Sequence, residues 1–139
     1  MKGALSDMIN QDCAQIKKEQ KAGNYDIADH MLQSLAARFR NLIEQGIEHE
    51  LLHGIVTRFD YRVFSQKLPY LFALTEQDIA LFHRMMSKYS CYDHSHSVET
   101  LSPVPEINDL EKDLNAMLDW TKDYKKRREE AKDKASGKM

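Results

Sequence analysis

Glycine, proline and cysteine are scarce in this chain, and each shortage limits the fold. Only five glycines and three prolines occur among 139 residues, so few positions interrupt a helix and long helices should dominate. The two cysteines, Cys13 and Cys91, are too few and too far apart for a disulfide scaffold or a four-cysteine metal site. We therefore expect an all-α protein with reduced thiols.

Long apolar runs and a strong net charge are also missing. No run is long enough for a signal peptide or a membrane span. The formal net charge of -2 gives no overall attraction to nucleic acid, so an RNA contact must rest on a local basic patch. These features predict one cytoplasmic domain over residues 1–139, in which residues 132–139 form a lysine-rich, disordered tail.

The apolar periodicity of the sequence predicts a bundle of about four main helices. The expected helices run over about residues 5–22, 25–53 and 75–90, and a fourth follows Pro105. Thr75 is the expected cap of the third helix. Gly46, inside the second, indicates that another helix approaches closely there. The connection over residues 55–74 should contain short helical pieces, interrupted at Pro69.

One motif, formed by His49, Glu50 and His53, matches the His-Glu-x-x-His signature of zinc proteases. In that signature, one helical turn presents two imidazoles to a metal and a carboxylate to a water. A catalytic zinc needs a third protein ligand, and no motif supports any of the candidates, which are Glu76, Asp93, His94 and His96. We therefore keep this trio as the alternative metal site, expect no cofactor, and interpret the two histidines as residues at the bundle edge.

A second set of residues suits chemistry on RNA. Arg40 and Glu44 are four residues apart on the second helix, so they share a face and can pair or point at one ligand. His94 follows the third helix in a proline-bounded loop, where a rigid bundle can hold an exposed imidazole. In metal-independent RNA cleavage, an imidazole moves protons and a guanidinium stabilises charge on the phosphate. Taken alone, the Arg40 and Glu44 pair is more typical of a solvated ion pair.

Parts of the chain resemble the C-terminal helical region of bacterial AAA/ABC-type ATPases related to the PrrC and RloC anticodon nucleases. The similar stretches are residues 40–59, 86–95, 103–106 and 110–114. Those nucleases are grouped with the HEPN superfamily, whose helical domains often dimerise and in many cases cleave RNA without metal. Their active sites use an Arg-x-x-x-Glu pair with a downstream histidine. The resemblance therefore implies that Arg40, Glu44 and His94 are catalytic.

The resemblance also implies partners and further contacts. It implies a HEPN-like homodimer that acts on RNA, with tRNA as the candidate substrate, and that contacts it through Lys88, Arg58 and His96. It implies a separate or fused ATPase in antiviral defence, because this sequence has no Gly-x-x-x-x-Gly-Lys phosphate loop. Lys88 stands six residues before His94, where the commonest HEPN signature has arginine, and lysine lacks the planar fork. The alternative is a non-catalytic dimerisation or adaptor module of such a system.

Overall fold

Four long helices make up most of the described chain. The computed structural model describes residues 1–56, 62–63, 65–92 and 103–135. Helix α1 consists of three consecutive pieces, which are Lys2–Asp7, the π-helical Met8–Cys13 and Ala14–Lys21. Helices α2, α3 and α4 span Tyr25–Gly46, Glu76–Tyr89 and Ile107–Ala135. The predicted all-α bundle of four main helices is confirmed.

Local signals in the sequence set several helix ends. Gly23 has a φ of 83°, a left-handed conformation that glycine adopts without a steric cost and that commonly ends a helix. At the start of α3, Thr75 and Asp78 form a capping box. The Thr75 hydroxyl accepts from the Asp78 backbone at 3.2 Å, and the Asp78 carboxylate accepts from the Thr75 backbone at 2.9 Å. The cap expected at Thr75 is therefore present.

Side-chain contacts show that α2 and α3 run antiparallel. At the middle of α3, a ring atom of Phe82 would lie 3.0 Å from a Cβ on Gly46. Near the end of α3, the rings of Tyr89 and Phe39 are 5.0 Å apart. Rising residue numbers on α3 thus meet falling numbers on α2. The close approach of another helix predicted at Gly46 is confirmed.

Helices α1 and α4 complete the bundle beside α2 and α3. Asp12 on α1 pairs with Arg38 on α2 at 3.3 Å, and α1 also reaches α4. All four helices share one apolar core, and burying each of its large side chains contributes about 1.5–3 kcal/mol. Its largest fully buried members include Leu5, Ile16, Leu32, Leu35, Phe39, Ile43, Phe82, Met85, Leu110 and Leu114.

Two regions differ from the sequence prediction. A 3-10 helix spans Ser65–Ala73 and continues through Pro69, where an interruption was predicted. The φ that proline imposes, about −65°, lies within the 3-10 range. Helix α4 includes residues 132–135, which were assigned to a disordered tail, because alanine, glutamate and lysine near its end are strong helix formers. Among the described residues, no helix is long and apolar enough to cross a membrane.

Candidate functional site

Arg40 and Glu44 form the ion pair that their spacing predicted. Nη1 of Arg40 donates a hydrogen bond to Oε2 of Glu44 at 3.0 Å. The Arg40 side chain is only 13% exposed, and that of Glu44 is 34% exposed. Most exposed pairs of this kind contribute little to stability. Because the Arg40 side chain is largely covered, the pair restricts the orientation of the guanidinium on α2.

The end of α3 lies beside this part of α2. Tyr89 packs edge-to-face on Phe39, the residue before Arg40. The 3-10 turn Ser90–Tyr92 continues from α3 and also contacts α2. The Tyr92 hydroxyl donates to the carbonyl oxygen of Pro103 at 2.8 Å. Residues 92 and 103, which flank the histidine-bearing segment, are therefore joined directly.

Three of the predicted site residues lie outside the described part of the chain. His94 and His96 fall within residues 93–102, and Arg58 falls within residues 57–61. Their assignment to catalysis or RNA binding stays a prediction. The described structure brings together Arg40, Glu44 and the end of α3.

Lys88, which was assigned to RNA binding, already contacts two carboxylates. Its ammonium lies 2.7 Å from Oδ2 of Asp109 and 2.6 Å from Oδ2 of Asp113. Partial burial opposes the charge on Lys88, but hydrogen bonds to the two aspartates outweigh it and raise the pKa of the lysine. A phosphate that binds Lys88 must therefore compete with both aspartates.

The two aspartates were missed in the sequence. They are four residues apart at the start of α4 and thus share a helix face. Their spacing was a usable signal, but only the packing of α4 on α3 shows that the face meets Lys88. Asp113 also accepts a hydrogen bond from the Tyr89 hydroxyl at 2.5 Å. We call Lys88, Tyr89, Asp109 and Asp113 the Lys88 cluster.

The zinc-protease motif is not arranged as one helical turn. Helix α2 continues into the π-helical turn Ile47–Leu51 and ends there. His53 then has a φ of 52°, a left-handed conformation outside the helix. His49 and His53 therefore do not share a helix face. Among the residues that the structure describes, no three histidine, cysteine, aspartate or glutamate side chains are grouped to hold a metal ion.

The side chains of the motif have other contacts. Nε2 of His53 lies 3.0 Å from the Tyr124 hydroxyl, and its ring stacks on Tyr70 with centroids 4.8 Å apart. Burial, followed by the positive charges of Arg128 and Lys67, lowers the pKa of His53 to about 4. His53 is thus neutral at pH 7 and packs as an aromatic residue. Glu50, the carboxylate of the motif, contacts the Arg128 guanidinium at 3.4 Å.

Comparisons with models of protein families, with curated proteins and with solved structures give no match for this chain. The Arg40 and Glu44 pair, with the end of α3 beside it, is the arrangement with the clearest chemical use.

Proposed function

We propose that the chain is a metal-independent endoribonuclease of the HEPN type, with tRNA as the candidate substrate. In this proposal Arg40, Glu44 and His94 form the active site. The chain acts as a homodimer with a separate or fused AAA/ABC-type ATPase in antiviral defence. Lys88, Arg58 and His96 contact the RNA, and Lys88 exchanges its two aspartates for a phosphate.

The packing of α3 on α2 is the observation that carries the proposal. The contact between Tyr89 and Phe39, with ring centroids 5.0 Å apart, holds the end of α3 beside the turn that contains Arg40. Only two residue steps separate Tyr92 from His94 in the sequence, and an extended chain covers at most about 7 Å over two residues. This short tether supports a shared site for His94 and Arg40.

The proposed reaction is an internal displacement at phosphorus. The ribose 2′-oxygen forms a bond to the adjacent phosphorus, and the bond to the 5′-oxygen breaks. His94 takes the proton from the attacking 2′-hydroxyl while water protonates the leaving 5′-oxygen, or His94 protonates the 5′-oxygen while water takes the 2′ proton. Arg40 stabilises the added negative charge on the phosphate, and Glu44 orients Arg40 through their 3.0 Å hydrogen bond. The products end in a 2′,3′-cyclic phosphate and a 5′-hydroxyl.

A cleavage assay tests this proposal. The purified chain, with its ATPase partner where activation requires one, is incubated with total tRNA, and EDTA is added after any ATP-dependent step. We expect cleavage to continue in EDTA and to leave 2′,3′-cyclic phosphate ends. His94→Ala should slow it by roughly a hundredfold, the usual contribution of a positioned acid or base. Cleavage that persists at the wild-type rate in His94→Ala would contradict the proposed site.

A second candidate function is a non-catalytic dimerisation or adaptor module. The observation that favours it is the exposure of four large apolar side chains within residues 52–68, which are Leu52, Val56, Val63 and Leu68. Val56 and Val63 lie side by side through an antiparallel bridge. Grouped apolar side chains on a surface often mark a contact with another protein. Self-association that Val63→Asp abolishes, together with no cleavage of RNA, would favour this candidate over the nuclease.

A further inference from the structure

A cleft between α1 and the second half of α4 is rich in positive charge. Its volume is about 300 Å³, which is large enough for a phosphate group with part of the attached sugar. The polar side chains that line it are Lys2, Glu50, Thr121, Tyr124, Lys125 and Arg128. None of these residues belongs to the Arg40 and Glu44 site.

Cations in the cleft outnumber its carboxylate. Glu50 contacts Arg128 at 3.4 Å and the amino group of Met1 at 3.9 Å. Lys2 and Lys125 are exposed, and neither is paired with a carboxylate in the described part of the chain. The contact between Arg128 and Glu50 uses one Nη, so other donors of the guanidinium fork are available to an anion. The cleft therefore presents three cationic side chains to one ligand.

The floor of the cleft includes Tyr124, whose ring is packed by its neighbours. Tyr124 is held between Trp120, with ring centroids 4.7 Å apart, and His53, with its Nε2 3.0 Å from the hydroxyl. Thr121 also lines the cleft, but its hydroxyl donates to the carbonyl oxygen of Leu118 at 2.6 Å. The donors available to a ligand are therefore the ammonium groups of Lys2 and Lys125 and the guanidinium of Arg128, which are groups that bind phosphate oxygens.

We propose that this cleft binds a backbone phosphate of a single-stranded RNA as a second contact, separate from the cleavage site. The inference rests on the proposed function for its choice of RNA as the ligand. Lys125 lies twelve residues beyond Asp113 of the Lys88 cluster on α4, which is about 18 Å along the helix. Twelve residues also turn the helix by about 120°, so a strand that contacts both places crosses from the α3 side of α4 to its α1 side. The cleft would hold that strand away from the scissile bond.

A binding titration tests the cleft separately from cleavage. The probe is a fluorescein-labelled single-stranded RNA, measured by anisotropy with the full chain carrying His94→Ala, so that cleavage does not consume it. We expect Lys2→Glu with Lys125→Glu to weaken binding at least fivefold. The slope of log affinity against log salt should fall in magnitude by about 0.7 for the corresponding pair of glutamine variants, because one phosphate contact is lost.

The matched control is Lys21→Glu, at the other end of α1. Lys21 is exposed and lies on the order of 28 Å from Lys2 along the helix, so it should change affinity less than twofold. Circular dichroism melting checks that the variants remain folded, and the glutamine pair must weaken binding in the same direction. Unchanged affinity and salt slope in both lysine pairs would overturn the inference.

Two further outcomes separate this inference from the proposed nuclease. RNA that binds through Lys2 and Lys125 but is never cut would contradict the nuclease and leave the cleft assignment standing. If RNA is cut normally while the lysine variants bind as tightly as wild type, the cleft assignment is overturned and the nuclease proposal stands. A titration with inorganic phosphate, followed by NMR of the Thr121 and Lys125 amides, identifies the source. Shifts with phosphate but none with RNA would reassign the cleft to a free phosphate and overturn the RNA contact.

Discussion

The two ends of α3 are both joined to α4 by ion pairs, but the pairs differ in burial and geometry. Near the start of α3, the Asp78 side chain is 3% exposed, and each of its oxygens accepts a hydrogen bond from Arg127 at 2.8 Å. The Trp120 indole donates a third at 2.8 Å. Near the end of α3, the Lys88 side chain is 40% exposed. We call Thr75, Asp78, Trp120 and Arg127 the Asp78 cluster.

The difference in burial indicates different roles for the Asp78 cluster and the Lys88 cluster. Burial disfavours the charge on Asp78, but hydrogen bonds from Arg127, Trp120 and Thr75 outweigh it and lower its pKa to about 2. A buried carboxylate whose two oxygens both accept hydrogen bonds from the neighbouring helix holds the two helices in one position. In the Lys88 cluster, the side chains of Lys88 and Asp109 are 40% and 50% exposed, so the lysine can exchange a carboxylate for another anion. The Asp78 cluster should therefore dominate stability, and the end with the Lys88 cluster is better suited to binding.

Removing the Asp78 carboxylate should have the largest effect on stability. Asp78→Ala leaves Arg127 and the Trp120 indole without their acceptors. We expect the free energy of unfolding to fall by about 3 kcal/mol, because breaking a buried pair leaves uncompensated polar groups. Urea denaturation of the purified chain measures this change.

The chain offers a matched control for that variant. Asp123 pairs with the same arginine at 3.0 Å, but its side chain is 71% exposed. Asp123→Ala should therefore cost less than about 1 kcal/mol. Equal losses in the two aspartate variants would contradict the importance of burial.

Acid should weaken the same end of the bundle through His53. Tyr124 joins His53 to the Asp78 cluster, since its ring stacks on Trp120. The folded pKa of His53 is about 4, below its usual 6.5, so the unfolded chain takes up the proton first as the pH falls. The neutral imidazole contributes fully to the free energy of unfolding above pH 6.5. This contribution should be lost towards pH 4, which lowers the free energy of unfolding by about 2 kcal/mol.

The measurement for His53 is the free energy of unfolding between pH 7 and pH 4. His53→Asn should remove much of this pH dependence, and asparagine tolerates the left-handed backbone at this position. His49→Gln, at the other histidine of the motif, should keep it. An unchanged pH profile in His53→Asn would show that other groups are responsible.

Gly46 lies on α2 opposite the middle of α3 and tests how tightly the two helices pack. A Cβ at this position would lie 3.0 Å from the Phe82 ring and from Sδ of Met1. Gly46→Ala should therefore cost about 1 kcal/mol, because the strain of overpacking exceeds the gain in helix propensity. Gly3→Ala, where no atom lies within 4 Å, should be neutral or stabilising. Thermal melting compares them, and a higher melting temperature for Gly46→Ala would show that Phe82 can move aside.

Lys88→Ala should have the smallest effect on stability. Its pairs with Asp109 and Asp113 are partly exposed, and such pairs contribute at most about 1 kcal/mol. The same urea titration measures the change. A loss as large as that for Asp78→Ala would remove the distinction between the two ends of α3.

Local sequence signals predicted most of the fold. Gly23 and Thr75 marked helix ends because their effects act within a few residues, and the Arg40 and Glu44 pair followed from helical spacing. The reversed backbone at His53 was not predictable, because its ring is held by Tyr70 and Tyr124, which are distant in sequence. The partners of Lys88 also depend on how α4 packs on α3.

Two arginines on α2 distinguish a residue that acts on the scissile phosphate from one that only pairs with a carboxylate. Arg38 is 49% exposed and pairs with Asp12 on α1, whereas Arg40 is largely covered and pairs with Glu44. The measurement is the rate of tRNA cleavage by folded Arg40→Ala and Arg38→Ala chains. We predict that Arg40→Ala lowers the rate by roughly a hundredfold, the usual effect of removing a charge-stabilising donor, and that Arg38→Ala changes it less than twofold. Equal rates in the two variants would contradict the proposed active site.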